Sequence, residues 1–135
     1  MTGDNDRYCW PNADAILDET AVLMESMGHS MVLNDRNAFL AGLERAKIAA
    51  DYQTDASVAY LAALMYDGIT TRHALRDGNK RAGAIAALTF ILMNGLFLDV
   101  PETELEAKLR ARVAGQISIE ELAEYFAKNT YPDIA

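Results

Sequence analysis

The longest apolar stretch of the chain, Ala82–Leu98, constrains its fold more than any other feature. From Ala82 to Leu92 the side chains are apolar on almost every side, and Thr89 is the exception. A helix with this pattern has to be surrounded by other elements. The stretch contains Asn94 and two glycines and is slightly too short to span a bilayer. We therefore expect a helix over about residues 79–94 at the centre of a packed core.

The sequence on both sides of this stretch predicts five further helices. Apolar side chains recur at three- and four-residue spacings, and capping residues precede them. The first expected helix covers 13–27 after Asn12, the second runs from Asn34 and Asp35 to a break at Asp51, and the third covers 56–71 and is capped by Asp55. After the apolar helix, a Thr103–Glu106 capping box opens a fifth helix over 104–114, and a Ser118–Glu121 capping box opens a sixth that ends at Asn129. No strand series, repeat or linker is evident. The sequence predicts a compact all-α bundle of about six helices forming a single domain over residues 1–135, with an irregular leader at 1–11.

Charge and cysteine content limit the classes of function. The net charge is −8, which disfavours general nucleic-acid binding because such affinity comes mostly from neutralising phosphates. We expect no direct nucleic-acid binding and no membrane association. The single cysteine, Cys9, cannot form an internal disulfide, and the N-terminus lacks a signal-peptide pattern, so we expect a cytoplasmic protein.

A nine-residue stretch between the third and fourth predicted helices, His73–Arg81, concentrates polar chemistry. A helix start offers free N–H groups and the positive end of the helix dipole, which together favour anions. Gly78 allows the backbone to approach a ligand closely. Lys80 and Arg81 add positive charge, and an arginine can hold phosphate oxygens with two hydrogen bonds. This part of the stretch suits a polyphosphate.

The same stretch also contains a potential metal ligand and a potential base. Asp77 beside phosphates suits a bridging Mg²⁺, which proteins hold with one or two carboxylates plus phosphates. His73 suits a general base, because histidine titrates near neutral pH. A structural turn is the alternative, since Asp-Gly-Asn is a common turn sequence. Lys80 and Arg81 favour a site because the helix dipole disfavours cations in a first turn. Both interpretations stay open on these grounds.

The stretch resembles the signature of the Fic/Doc family, His-x-Phe-x-(Asp/Glu)-Gly-Asn-(Gly/Lys)-Arg. The matching positions are His73, Asp77, Gly78, Asn79, Lys80 and Arg81. With lysine at position 80 the stretch resembles the Doc branch, the death-on-curing toxins, whereas most Fic proteins have a second glycine at this position. The similarity extends over roughly residues 13–127.

The resemblance implies a Fic/Doc-like fold and a toxin of a toxin–antitoxin pair. Doc is understood as a kinase that transfers a phosphoryl group from ATP to a threonine of elongation factor Tu, and its partner is the antitoxin Phd. By this match His73 would be the base and Asp77 would bind Mg²⁺. Gly78, Asn79, Lys80 and Arg81 would cradle and neutralise the phosphates, and Arg81 would also stabilise charge in the transition state.

Two positions depart from the pattern. Ala74 replaces a common proline, and Leu75 replaces the usual aromatic residue. Three functions remain open at this point: a Doc-like kinase, a Fic-type transferase of AMP, and a non-catalytic binding module with the same fold.

Overall fold

The computed structural model describes residues 7–134, which form six helices and a small sheet. The helices are α1 (Ala13–Ser26), α2 (Arg36–Tyr52), α3 (Val58–Arg72), α4 (Asn79–Met93), α5 (Glu102–Val113) and α6 (Ile119–Asn129), and the strands are β1 (Leu96–Leu98) and β2 (Thr130–Pro132). The prediction of an all-α bundle of about six helices is confirmed. The two antiparallel strands, with Phe97 opposite Tyr131, were not expected. Residues 1–6 of the predicted leader lie outside the described residues.

The centre of the bundle is α3 rather than α4. Every residue from Leu61 to Thr70 is buried, and α2, α4 and α6 pack around α3. The α2–α3 contact is very close, because a Cβ at Gly68 would lie 2.4 Å from the Gly42 carbonyl oxygen. By contrast α4 leaves Leu92 and Met93 exposed at its end. The prediction that α4 occupies the centre is therefore wrong, because the small residues of α3 allow neighbours to approach it on several sides.

Side-chain caps confirm the predicted starts of three helices. The caps of α1, α2 and α6 are Asn12, Asp35 and the Ser118–Glu121 capping box. Each cap satisfies an N–H group that the first helical turn would otherwise leave without an acceptor.

Two predicted starts are wrong. The third helix begins at Val58, since the hydroxyl of Ser57 rather than the carboxylate of Asp55 accepts from a first-turn N–H group. The fifth helix begins at Glu102 after Pro101, and the expected Thr103–Glu106 capping box is absent. Glu106 pairs instead with Arg110, at 3.0 Å, one turn further along α5.

Residues 8–11 form no helix or strand, and they cover the C-terminal end of α4. The Trp10 ring stacks on Phe90 at 4.9 Å between centroids, and Tyr8 packs against both rings. The Asn94 amide accepts from the Cys9 N–H and donates to the Cys9 carbonyl, both at 2.9 Å. Within the described part of the chain, no helix is long and apolar enough to cross a membrane.

Candidate functional site

The loop between α3 and α4 begins with a residue in an unfavourable backbone conformation. His73 follows the last residue of α3 and lies in the left-handed region, with φ 51° and ψ 41°. Among residues 7–134 it is the one non-glycine residue with a positive φ. This conformation costs about 1–2 kcal/mol for a residue with a Cβ, whereas glycine adopts it freely. The histidine is thus kept at a position where glycine would fit better, which indicates a use for its side chain.

The α1–α2 connection holds the middle of the loop in place. Leu75 forms an isolated antiparallel bridge with Leu33, and the Arg76 N–H donates to the Val32 carbonyl at 3.0 Å. The carbonyl of Ala74 accepts from two N–H groups at the start of α2. The side chains of Ala74 and Leu75 are both buried. The two positions that depart from the Fic/Doc pattern therefore anchor the loop in the core.

Asn79 fixes the end of the loop with its side chain. Its Oδ1 accepts from the Leu75 N–H at 3.0 Å, and its Nδ2 donates to the Leu75 carbonyl at 2.8 Å. The sequence-based assignment placed this residue in the phosphate cradle. In the structure the amide is occupied by the loop, so the part of Asn79 that remains open to a ligand is its backbone N–H.

The start of α4 presents backbone N–H groups that lack acceptors. Gly78 is the N-cap, with φ 91° and no side chain to cap the helix. The N–H groups of Asn79, Lys80 and Arg81 donate to no atom of residues 7–134. The close fit of this turn against α1 also requires glycine, because a Cβ on Gly78 would lie 2.5 Å from the Sδ of Met24. Free N–H groups at a helix start are suited to an anion, so this turn is a candidate anion site.

Four cations without a partner among residues 7–134 lie in the loop or in the helix turns on either side of it. Across residues 7–134, each lysine and arginine has a carboxylate, carbonyl or aromatic partner except Arg72, Arg76, Lys80 and Arg81. All four belong to the loop or to the helix turns next to it. In a chain of net charge −8, such grouping leaves positive charge available at one place. This distribution supports the interpretation as a site over that as a structural turn.

His73 itself faces an open cleft of about 260 Å³ between the ends of α3 and α5. The cleft is lined by Asp67, Thr70, Thr71, His73, Arg112, Val113 and Gly115. The hydroxyls of Thr70 and Thr71 donate to carbonyls within α3, so towards the cleft they offer lone pairs. The sequence analysis did not identify Asp67 or Arg112. A signal was present in the sequence, since Asp67 is the one charged residue within the apolar run Leu61–Thr70.

Asp77 is the candidate metal ligand. It is exposed, and one of its carboxylate oxygens accepts from the Gly78 N–H at 2.9 Å. No group of three or more His, Cys, Asp or Glu side chains within residues 7–134 is arranged to hold a metal ion. At this position Asp77 offers a second carboxylate oxygen, for which no hydrogen bond to residues 7–134 is found. That is compatible with Mg²⁺ arriving with a nucleotide, because phosphates and water supply most of its ligands in such sites.

No protein-family model matches the chain, and a search of curated proteins finds no match. The features of the molecule that bear on function are consequently the loop from His73 to Arg81, the unpaired cations in and beside it, and the cleft that His73 lines.

Proposed function

We propose that the protein is a Doc-like toxin of a toxin–antitoxin system, which transfers a phosphoryl group from ATP to a serine or threonine hydroxyl of a translation factor. The observation that carries the proposal is that the cations without partners among residues 7–134 all belong to the loop and adjoining turns that also contain the free N–H groups at the start of α4. Phosphoryl transfer depends mainly on positioning and on neutralising phosphate charge, which these groups supply.

His73, Asp77 and the first turn of α4 each have a role in this reaction. The His73 imidazole accepts the proton of the target hydroxyl while the hydroxyl oxygen attacks the γ-phosphorus of ATP. The bond from that phosphorus to the bridging oxygen breaks, and ADP leaves. Lys80, Arg81 and the N–H groups of the first turn hold the phosphates, and Arg81 stabilises the charge of the transition state. Asp77 would hold Mg²⁺, which neutralises phosphate charge when bound.

The resemblance to the Doc branch supports the finer parts of the proposal. It favours elongation factor Tu as the target, a Phd-like antitoxin chain as the inhibiting partner and the cytoplasm as the location. Lys80, at the position where most Fic proteins carry glycine, favours transfer of the γ-phosphoryl group over transfer of AMP. Transfer of AMP to a protein hydroxyl remains the second candidate, because the same phosphate cradle serves either phosphorus.

Labelled ATP tests the proposal directly. The purified chain is incubated with Mg²⁺, elongation factor Tu or a cell extract, and ATP labelled at either the α- or the γ-phosphate. We expect label from γ-labelled ATP alone, lost in His73→Ala and on chelation of Mg²⁺. The matched control is Arg110→Ala, which removes an exposed cation that pairs with Glu106 far from the loop in sequence.

The other outcomes each correspond to a different function. Transfer of the α-label would replace the kinase by a nucleotidyltransferase. Neither label transferred, together with no binding of nucleotide, would leave a non-catalytic binding module.

A further inference from the structure

A second charged cluster lies beside His73, and its centre is a buried carboxylate. The Asp67 side chain on α3 is 8% exposed. One of its oxygens accepts from Arg112 Nε at 2.9 Å and the other from Arg45 Nη1 at 2.6 Å. A buried carboxylate is costly unless charged hydrogen-bond donors surround it, and the two arginines supply those donors.

The two arginines reach this carboxylate from different parts of the fold. Arg45 comes from α2 and does not line the cleft. Arg112 comes from the last turn of α5 and lines the cleft together with His73. Its Nη1 also donates to the Ile117 carbonyl at 2.5 Å. Through this one side chain, the α5–α6 connection is tied to α3.

Two further contacts hold α5 one turn earlier: Leu109 is the one buried residue of the helix, and its carbonyl accepts from the buried Tyr66 hydroxyl of α3 at 3.2 Å. Val113, in the cleft wall itself, is 46% exposed. At the wall, the polar contacts that join α5 to α3 are therefore those of Arg112. A buried, charge-assisted arrangement holds geometry more tightly than exposed pairs do.

We propose that Asp67 and Arg112 form a positioning pair that sets the width of the cleft beside His73 and so places the substrate against the imidazole. This inference rests on the proposed function, since it assigns the cleft to the same reaction. Asp67 acts through Arg112, and neither residue exchanges a proton with the substrate. A displacement of about 1 Å in such a wall can reduce a rate about 100-fold.

Two arginine variants separate positioning from stability. Arg112→Gln removes the arm that forms the cleft wall, and Arg45→Gln removes the other arm of the same carboxylate. Both should lower the melting temperature. In the transfer reaction of the full chain, Arg112→Gln should raise KM and lower kcat/KM by about 10- to 100-fold, whereas Arg45→Gln should leave KM within about twofold. A purely structural role lowers the folded fraction in both variants without a change in KM, and that result would overturn the inference.

Arg112→Lys is the second variant in case the glutamine form does not fold. Lysine keeps the charge but lacks the planar fork that reaches Asp67 and Ile117 together. We expect it to restore the melting temperature more than KM. Equal recovery of both quantities would contradict a positioning role.

A readout that does not need activity keeps this inference separate from the proposed function. The chain has two histidines, so the imidazole NMR signals of His73 can be compared with those of His29. Arg112→Gln should shift the His73 signals and leave those of His29 in place, and Arg45→Gln should move neither. If the wild-type chain transferred no label but the variants showed these NMR shifts, the kinase proposal alone would be refuted. Unmoved His73 signals in Arg112→Gln would refute the positioning pair.

Discussion

The two ends of α4 use the same device for different purposes. At the start of the helix, the Asn79 amide makes two hydrogen bonds to the backbone of Leu75. At its end, the Asn94 amide makes two hydrogen bonds to the backbone of Cys9. In both places one asparagine side chain bonds to both backbone groups of another residue, four positions away at the start of the helix and 85 positions away at its end.

The surroundings of Asn79 and Asn94 differ. At the C-terminal end, Tyr8 and Trp10 cover Phe90, and the helix is followed directly by the two-stranded sheet. At the N-terminal end, first-turn N–H groups and cations are left without partners among the described residues. The C-terminal end is thus held by packing and hydrogen bonds, whereas the N-terminal end has the free groups that the proposed phosphate site requires. Substitutions at matching positions should therefore affect stability at one end and function at the other.

The largest expected effect is on activity at the N-terminal end. His73→Ala should reduce the transfer rate by about 10²–10⁴-fold, because it removes the proposed general base. Its melting temperature should stay within a few degrees of wild type, since the imidazole is exposed. His73→Gly should be equally inactive and at least as stable, because it relieves the positive φ. Initial rates with labelled ATP and thermal unfolding measure both quantities. His29→Ala is the control, and an active His73→Ala would remove the base assignment.

The next largest effect is on stability and is seen by comparing Gly78 and Gly95, the glycines at the two ends of α4, both of which have a positive φ. Ala at Gly95, with φ 82° and open space around it, should cost about 1–2 kcal/mol of backbone strain. Ala at Gly78 adds a clash with Met24 and should cost about 2–4 kcal/mol. Urea unfolding of both variants measures the difference. Equal losses would mean that α1 does not press on the loop. Measured in a Met24→Ala background, the further loss caused by Gly78→Ala should fall towards that of the Gly95 variant.

The next comparison is between Asn79 and Asn94, whose side chains make the same pair of hydrogen bonds at opposite ends of α4. Asn79→Ala leaves two part-buried backbone groups of Leu75 unpaired, which should cost about 1–3 kcal/mol. Asn94→Ala frees exposed groups of Cys9 that water can satisfy, so it should cost less, about 0.5–1.5 kcal/mol. At temperatures where both variants are folded, Asn94→Ala should keep wild-type kcat/KM, and Asn79→Ala should lose most of it because the loop is no longer fixed. Titration with ATP and labelled-transfer rates make the comparison. If Asn94→Ala lost activity to the same degree, the two ends would not be functionally distinct.

The sequence was sufficient for features that depend on neighbours along the chain. Caps such as Asn12 and Ser118 are short-range signals, and the loop residues from His73 to Arg81 are contiguous, so both the helices and the candidate site were predictable. The α3–α4 loop was expected to have a helix start with cations in its first turn, and the structure has that arrangement.

Features that depend on distant partners were not predictable. Asp67 meets Arg45 and Arg112 across 22 and 45 positions of sequence. The strands of the small sheet have three residues each, which is too short for an alternating pattern to stand out. The central place of α3 follows from the backbone contact between Gly42 and Gly68, which neither segment signals by itself.

The smallest expected effect concerns the charge that α4 carries at its start. Lys80 lies in the first turn, where the helix dipole disfavours a cation. Lys80→Glu should therefore raise the free energy of unfolding by about 0.3–1 kcal/mol while it abolishes binding of ATP. Lys128→Glu is the matched control in the last turn of α6, where the dipole favours a cation and the change should destabilise by a similar amount. Urea unfolding and ATP titration test both. A Lys80→Glu protein that binds ATP normally would show that the lysine is not retained for phosphate, and the contrast between the two ends of α4 would then rest on His73 and the N–H groups alone.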